Sequence, residues 1–308
     1  MNITYDNMII RTFQEDDLPL LGKLYEDIMQ SGDTVFWWIG EPTNWENVYG
    51  AFANGTMIAK GQVSIVSIIT SGSASEHRHS IYLNLKAAAE YQSDHSLLHQ
   101  LYQPLLHRAR QLKATLPATY QTMLCIGNYA TESANTTFFQ QNDYQYLNSQ
   151  FHMTRSLSSP ILPLSLPEDL VFGHWLMETP AEQEHYLEID LDIWPEAPIG
   201  LQQLNDNRQQ PFWTCMVIRY EGEPIGGLMV WKEEEEGVIE DVWVRPDWRQ
   251  RGIARYLLTE ALMYLQQHGL HTVGLTALTD NDNALSLYQS VGFTIEKEEV
   301  RYGIILDD

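Results

Sequence analysis

The residues best suited to chemistry concentrate in one short segment, Val242 to Leu258, reading VWVRPDWRQRGIARYLL. An apolar strand ends at Pro246 and a periodic helix begins at about Ile253, with Arg249-Gln250-Arg251-Gly252-Ile253-Ala254 spanning the junction. Glycine and alanine remove side chains where a backbone must approach a ligand, and the first N–H groups of a helix have no acceptor inside it, so this turn suits an anion. Two arginines add positive charge there, in a chain of formal net charge −23. A diphosphate is the natural guest. Other candidates are weaker. His95 and His99 have the i, i+4 spacing of a shared metal, but no carboxylate or third histidine completes a motif, and they read as a surface pair. Cys215 has no neighbouring base and reads as a small buried hydrophobe. With Cys125 it makes up the whole cysteine content, without CxxC spacing, which fits a reducing compartment.

The elements that position this turn repeat along the chain. Ser156 to Pro167, SLSSPILPLSLP, carries three prolines and should be extended, placing a boundary between residues 1–157 and 169–308 with a linker at 158–168. Each half opens with a short strand and a helical region: MIIRTF then DDLPLLGKLYEDI, against LVFGHWLM then a helix starting at Thr179-Pro180-Ala181-Glu182, a capping box with proline at the first helical position. Each then has a hairpin-like turn, Asn54-Gly55 or Glu221-Gly222, and a central strand, IYLNL or VIEDVWV. A long helix follows, Ser96 to Leu112 or Ile253 to His268. In the second, Ile253, Leu257, Ala261, Tyr264 and Leu265 share one face that should pack on a sheet. A buried strand, TMLCIGNY or HTVGLTAL, a short helix and a last strand pair complete each half.

A second motif lies downstream: Asn281-Asp282-Asn283-Ala284-Leu285-Ser286-Leu287-Tyr288-Gln289-Ser290-Val291-Gly292-Phe293. With Arg249, Gly252 and Ala254 it resembles the GNAT superfamily of acyl-CoA-dependent N-acyltransferases, whose pyrophosphate loop reads Gln/Arg-x-x-Gly-x-Gly/Ala and whose later motif reads Asn-x-x-Ala-x-x-Leu-Tyr-x-x-x-Gly-Phe. The joint match covers roughly Leu170 to Leu306. It implies an α/β (α+β) protein of two tandem GNAT-like domains, each a mixed, mostly antiparallel central sheet flanked by helices.

The resemblance also implies roles. Backbone amides from Arg251 through Gly252 and Ile253 to Ala254 would cradle the pyrophosphate of acetyl-CoA, helped by the Arg249 and Arg251 side chains. Asn281 would reach the pantetheine arm, and the strand end Val242, Trp243 and Val244 would offer free backbone groups to it. An alkyl ammonium has a pKa near ~10 and must lose a proton before attack. Glu240 and Asp241 are the candidates, and strand alternation would turn them to opposite faces so that one faces the cleft. Glu240 is favoured because related sequences often carry an acid near there. Tyr288 would give a proton to the departing thiolate.

In the first half, an offset near 157 puts Gln92, His95 and Leu97 where Arg249, Gly252 and Ala254 stand, and an offset near 149 puts Phe139 and Asp143 in place of Tyr288 and Gly292. Bulk in that turn would block a phosphate, so the N-terminal half reads as a degenerate GNAT-like domain without CoA. Trp37, Trp38 and Trp45 fit core packing better than a wall of the acceptor site.

With 44% hydrophobic and 19% charged residues the chain is expected to fold throughout. Its negative charge disfavours a nucleic-acid partner and would suit a cationic amine on a small molecule or peptide. An acidic N-terminus without a long apolar run points to a cytoplasmic protein with no membrane partner. Glu233 to Glu236 read as a solvated hairpin turn; Asp190, Asp192 and Glu196 read equally as acceptor contacts or loop charges. The leading expectation is an N-acetyltransferase using acetyl-CoA and no metal; the alternative is a non-catalytic acyl-CoA-binding regulatory protein.

Overall fold

The structure is a computed structural model that describes residues 8–69, 77–195, 198–278 and 282–307. In chain order the strands and helices are β1 (Ile9–Thr12), α1 (Leu18–Ser31), β2 (Val48–Ala53), β3 (Thr56–Ser67), β4 (His79–Ala87), α2 (His95–Lys113), β5 (Thr122–Tyr129), α3 (Ser133–Gln140) and β6 (Gln145–Ser156). Then follow β7 (Leu170–Trp175), α4 (Pro180–Ile193), α5 (Gly200–Arg208), β8 (Thr214–Tyr220), β9 (Glu223–Glu233), β10 (Glu236–Val244), α6 (Ile253–Gln267), β11 (Thr272–Leu278), α7 (Asp282–Ser290) and β12 (Thr294–Ile305).

The chain forms two compact units: residues 1–149 with 298–308, and residues 150–297. The division differs from one at the proline-rich segment. That segment lies inside the second unit, where buried Leu157 joins the core and its amide donates to His271 O at 2.8 Å. Each unit borrows a strand from the far half of the chain. In the first unit the sheet runs β1-β2-β3-β4-β5 and is completed by β12, which pairs antiparallel with β5 from Glu299↔Tyr129 to Ile305↔Met123. In the second it runs β7-β8-β9-β10-β11 and is completed by β6, which pairs with β11 from Thr272↔Ser156 to Leu278↔Gln150.

Local sequence explains the elements. Thr179 Oγ1 accepts from the Glu182 amide at 3.3 Å while the Glu182 carboxylate accepts from the Thr179 amide at 2.9 Å, so the capping box at α4 forms with Pro180 in the first turn. Both hairpin dipeptides adopt positive φ, 50° and 74° at Asn54-Gly55 and 52° and 91° at Glu221-Gly222, the twist that a tight hairpin needs. Helix α6 lays Ile253, Leu257, Ala261 and Leu265 into the main core of the second unit, while α4 and α5 cover Cys215, Val217, Met229, Trp231 and Trp243 in a separate cluster. No helix among the described residues is long and apolar enough to cross a membrane.

Candidate functional site

The site lies where one strand pair stops pairing. Strands β10 and β11 are parallel neighbours only at Gly237↔Val273 and Val238↔Gly274. Beyond these, β10 runs on to Val244 paired with β9, and β11 runs on to Leu278 paired with β6, so their facing edges open into a wedge. Backbone N–H and C=O groups there are free to pair with a bound chain rather than with each other. Val242, Trp243 and Val244 form one edge. Asn281 and Glu196 lie outside the described residues.

At the mouth of the wedge the backbone turns into α6. Gln250 and Gly252 have φ of 62° and 81°. Gly252 occupies the N-cap position with no side chain to cap the helix. A Cβ added to Gly252 would meet no atom within 4 Å, so the glycine answers the left-handed backbone and leaves open space over the helix end. The first amide to donate back along the helix is that of Tyr256, to Gly252 O at 2.9 Å, so the earlier amides of the turn have no helical acceptor. Residues 249–252 are exposed, Ile253 is buried, and Ala254 is half-buried. Gly226 on β9 makes this possible, since a Cβ there would come within 2.9 Å of Ile253 Cγ2.

The two arginines divide their work. Arg249 Nε donates to Val244 O at 3.1 Å and braces the turn. Arg251 lies over the Trp248 ring, 4.7 Å from its centre, and Trp248 is backed by Tyr220 at 4.8 Å. Stacking holds the Arg251 guanidinium beside the helix end without consuming its charge.

The carboxylates depart from strand alternation. Val238 and Trp243 pack on the same α4–α5 face although they are five residues apart, because a bulge between Glu240 and Trp243 inserts one residue. Asp241 takes φ of 53°, and its Oδ1 accepts from Trp194 Nε1, beyond the end of α4, at 2.7 Å. Glu240 follows Val238 by two residues, so the expectation that the two acids face opposite ways is corrected: both serve the α4–α5 side. Glu240 is exposed, with its carboxyl raised by partial desolvation and by Glu233. Asp241 Oδ2 is buried without a hydrogen-bond partner among the described residues, and burial pushes that carboxyl up to about 7.

Tyr288, on α7, is buried in the same core as α6 with its ring 6.3 Å from Phe293. Burial pushes its phenol up to about 12, so it keeps its proton through the neutral range. Asp190 is 3% exposed rather than a loop charge, and its Oδ2 accepts from the Ile199 amide at 2.7 Å to tie α4 to α5. Asp192 is exposed and lies 3.6 Å from Arg245. Both cysteines are buried with thiols pushed up to about 12, which leaves neither as a nucleophile.

The first unit shows the same wedge in closed form. Strands β4 and β5 pair from His79↔Thr122 to Tyr82↔Cys125, and the gap beyond is bridged by Asn135 Nδ2 donating to Leu85 O at 2.9 Å and by Lys86 Nζ donating to Asn128 Oδ1 at 2.7 Å and to Glu132. Helix α2 begins at His95, so its start aligns with α6 at an offset of one more than the sequence suggested, and Asp94 stands at the position of Gly252. Asp94 Oδ1 accepts from the Leu97 amide at 2.9 Å. The turn is closed to an anion by the chain's own carboxylate, and bulk is not the reason. His95 packs on Phe138 at 6.0 Å and His99 meets Gln103 at 3.1 Å. Trp45 packs edge-on to Phe13 at 5.2 Å, while Trp38 is 54% exposed against Tyr25.

Residues 175–293 match the family model described as acetyltransferase (GNAT) family. A mycothiol acetyltransferase of Streptomyces coelicolor is 27% identical over 173 residues, half of this chain; the match spans 54% of that relative's length. A GCN5-related N-acetyltransferase of Sphaerobacter thermophilus superposes with a TM-score of 0.76 at 19% identity, covering 98% of this chain and 97% of that one. A tandem GNAT protein from the clavulanic acid biosynthesis pathway gives 0.67 at 10% identity, covering 98% and 99%. These likenesses over the whole length show a tandem GNAT fold, and the stretch from Trp175 to Phe293 within it matches the GNAT acetyltransferase family model.

Proposed function

We propose that the second unit moves an acetyl group from acetyl-CoA to a primary amine by direct attack. The observation that carries this reading is the uncapped, exposed turn at Gly252 set beside the open β10–β11 wedge. Acetyl-CoA would supply the activated acyl group as a thioester. The amides from Arg251 to Ala254 and the Arg251 guanidinium hold its diphosphate, and the free edge of Val242 to Val244 holds the pantetheine amides.

Glu240 takes the proton from the acceptor ammonium because it is the carboxylate that a solvent-borne amine can reach. Asp241 fixes the bulge that aims it. The new C–N bond forms as the C–S bond breaks, the Tyr288 phenol gives a proton to the leaving thiolate, and the second proton shed by the nitrogen restores the phenol through solvent. Asp192, Glu240 and the overall charge favour a cationic acceptor, on a small molecule or a peptide. The mycothiol acetyltransferase relatives support acetyl transfer, and the acceptor of this chain is taken only as an amine.

Thiol release from acetyl-CoA measured across a panel of small amines and amine-bearing peptides tests the reading. Release that depends on one class of amine is expected. Tight acetyl-CoA binding with no release on any amine would instead favour a non-catalytic acyl-CoA-binding regulatory protein.

A further inference from the structure

Trp194, just past the end of α4, is tied to the residue next to Glu240. Its amide donates to Asp190 O at 2.7 Å and its indole Nε1 to Asp241 Oδ1 at 2.7 Å, so backbone and ring are both fixed. The side chain nonetheless remains 42% exposed. Two residues earlier, Asp192 lies 3.6 Å from Arg245. The end of α4 thus touches the chain at Asp241 and at Arg245, on either side of Val242 to Val244. An acceptor that approaches this strand edge from the Glu240 side comes in along that wall.

An indole whose N–H is already satisfied offers a bound group its π face, and that face attracts a cation. The charge around it has the matching sign. Glu188 and Asp192 are exposed and one turn apart, a spacing at which like charges repel. The last turn of α4 holds no basic residue, although a helix C-terminus favours one. Arg245 directs its Nε to Pro224 O at 2.8 Å, and its contact with the exposed Asp192 is long and therefore weak. A helix end kept this acidic costs stability, and a cation carried by a ligand offsets that cost.

Taking the acetyl transfer proposed above as the reaction, we infer that its acceptor is an aliphatic amine carrying a second cationic nitrogen. The reacting nitrogen lies at Glu240 and the distant one over the Trp194 ring near Asp192, with a short alkyl spacer between them. The nearer nitrogen takes the acetyl group from the thioester and sheds its two protons as above. The distant nitrogen keeps its charge throughout.

Thiol release by the full chain at saturating acetyl-CoA, measured with 1,4-diaminobutane, butylamine and 4-aminobutanoate, tests the assignment. The diamine is expected to show a kcat/KM at least ~10-fold above butylamine, and 4-aminobutanoate the lowest of the three. Trp194→Leu should reduce the ratio of diamine to butylamine to the ~2-fold that two equivalent nitrogens give. Trp194→Phe restores an aromatic face without the bond to Asp241 and should bring most of the ratio back. That rescue separates a ring that selects the acceptor from one that only braces the bulge, because both variants lose the brace. Asp192→Asn, on an exposed side chain, keeps the question answerable should Trp194→Leu misfold, and should lower the ratio ~3-fold. Equal kcat/KM for diamine and butylamine, or a ratio unchanged in Trp194→Leu or in Asp192→Asn, would overturn the acceptor class alone. Absence of release with every amine would overturn the transfer as well.

Discussion

The two helix starts that follow a central strand, at Asp94 and at Gly252, differ by one residue and behave oppositely toward an anion. At α2 an aspartate accepts from the Leu97 amide, so a negative group is already in place. At α6 a glycine in the left-handed region leaves its amides bare and the space above them open. The wedges differ in parallel. Lys60 and Lys86 stand six residues past one hairpin turn and opposite it, where the second unit has Gly227 and Trp243, and Asn84 stands in the place of Glu240. The Asn84 side chain is held by Val35 O and the Trp37 amide, and β4 lacks the bulge that admits Asp241. The first unit thus fills with its own side chains the places that stand open in the second.

The largest break in this comparison comes from copying one start into the other. Gly252→Asp places a carboxylate where the diphosphate would sit, and aspartate tolerates positive φ well enough to fold. Acetyl-CoA affinity, read by calorimetry, should fall by ~100-fold or more. Next, Glu240→Gln should lower kcat by ~100-fold with little change in acetyl-CoA affinity, while Asp241→Asn lowers it less than ~10-fold. Equal losses would move the proton acceptor to Asp241.

Asp241 sharpens the contrast through stability. Its folded pKa of about 7 lies above the ordinary 3.8, so ionisation costs the fold progressively as pH rises between those values. Asp241→Asn should therefore be ~1–2 kcal/mol more stabilising at about pH 8 than at about pH 4 by denaturant titration. The smallest effect is expected of Asp94→Ala, which removes the α2 cap for about 1 kcal/mol and gains no acetyl-CoA binding, since Lys86 and Glu132 still bridge the wedge.

Much of this was legible in the residues. The hairpin dipeptides, the Thr179 capping box, the α6 apolar face and the Arg249–Ala254 turn all rest on local rules, and local rules held. The start of α2 was misplaced by one because an N-cap aspartate preceding a histidine gives no stronger signal than the histidine itself. The bulge at Asp241 was invisible, since nothing in GVIEDVWV marks where alternation breaks. Neither the Lys60–Lys86 pairing nor the strands shared between halves could be read, because both depend on contacts remote in sequence. Asn281, clear as a motif, lies outside the described residues.

The borrowed strands bear on how the protein is made. During synthesis the first unit meets a sheet edge at β5 that nothing local can fill, and it stays open until residues 298–308 leave the ribosome. The second unit receives β6 early, but its core also needs Tyr288, Val291 and Phe293, so it is complete only once residues up to 297 are made. The half that emerges first therefore cannot be sealed before residues 298–308 are made, and both units draw their last pieces from the same stretch of chain.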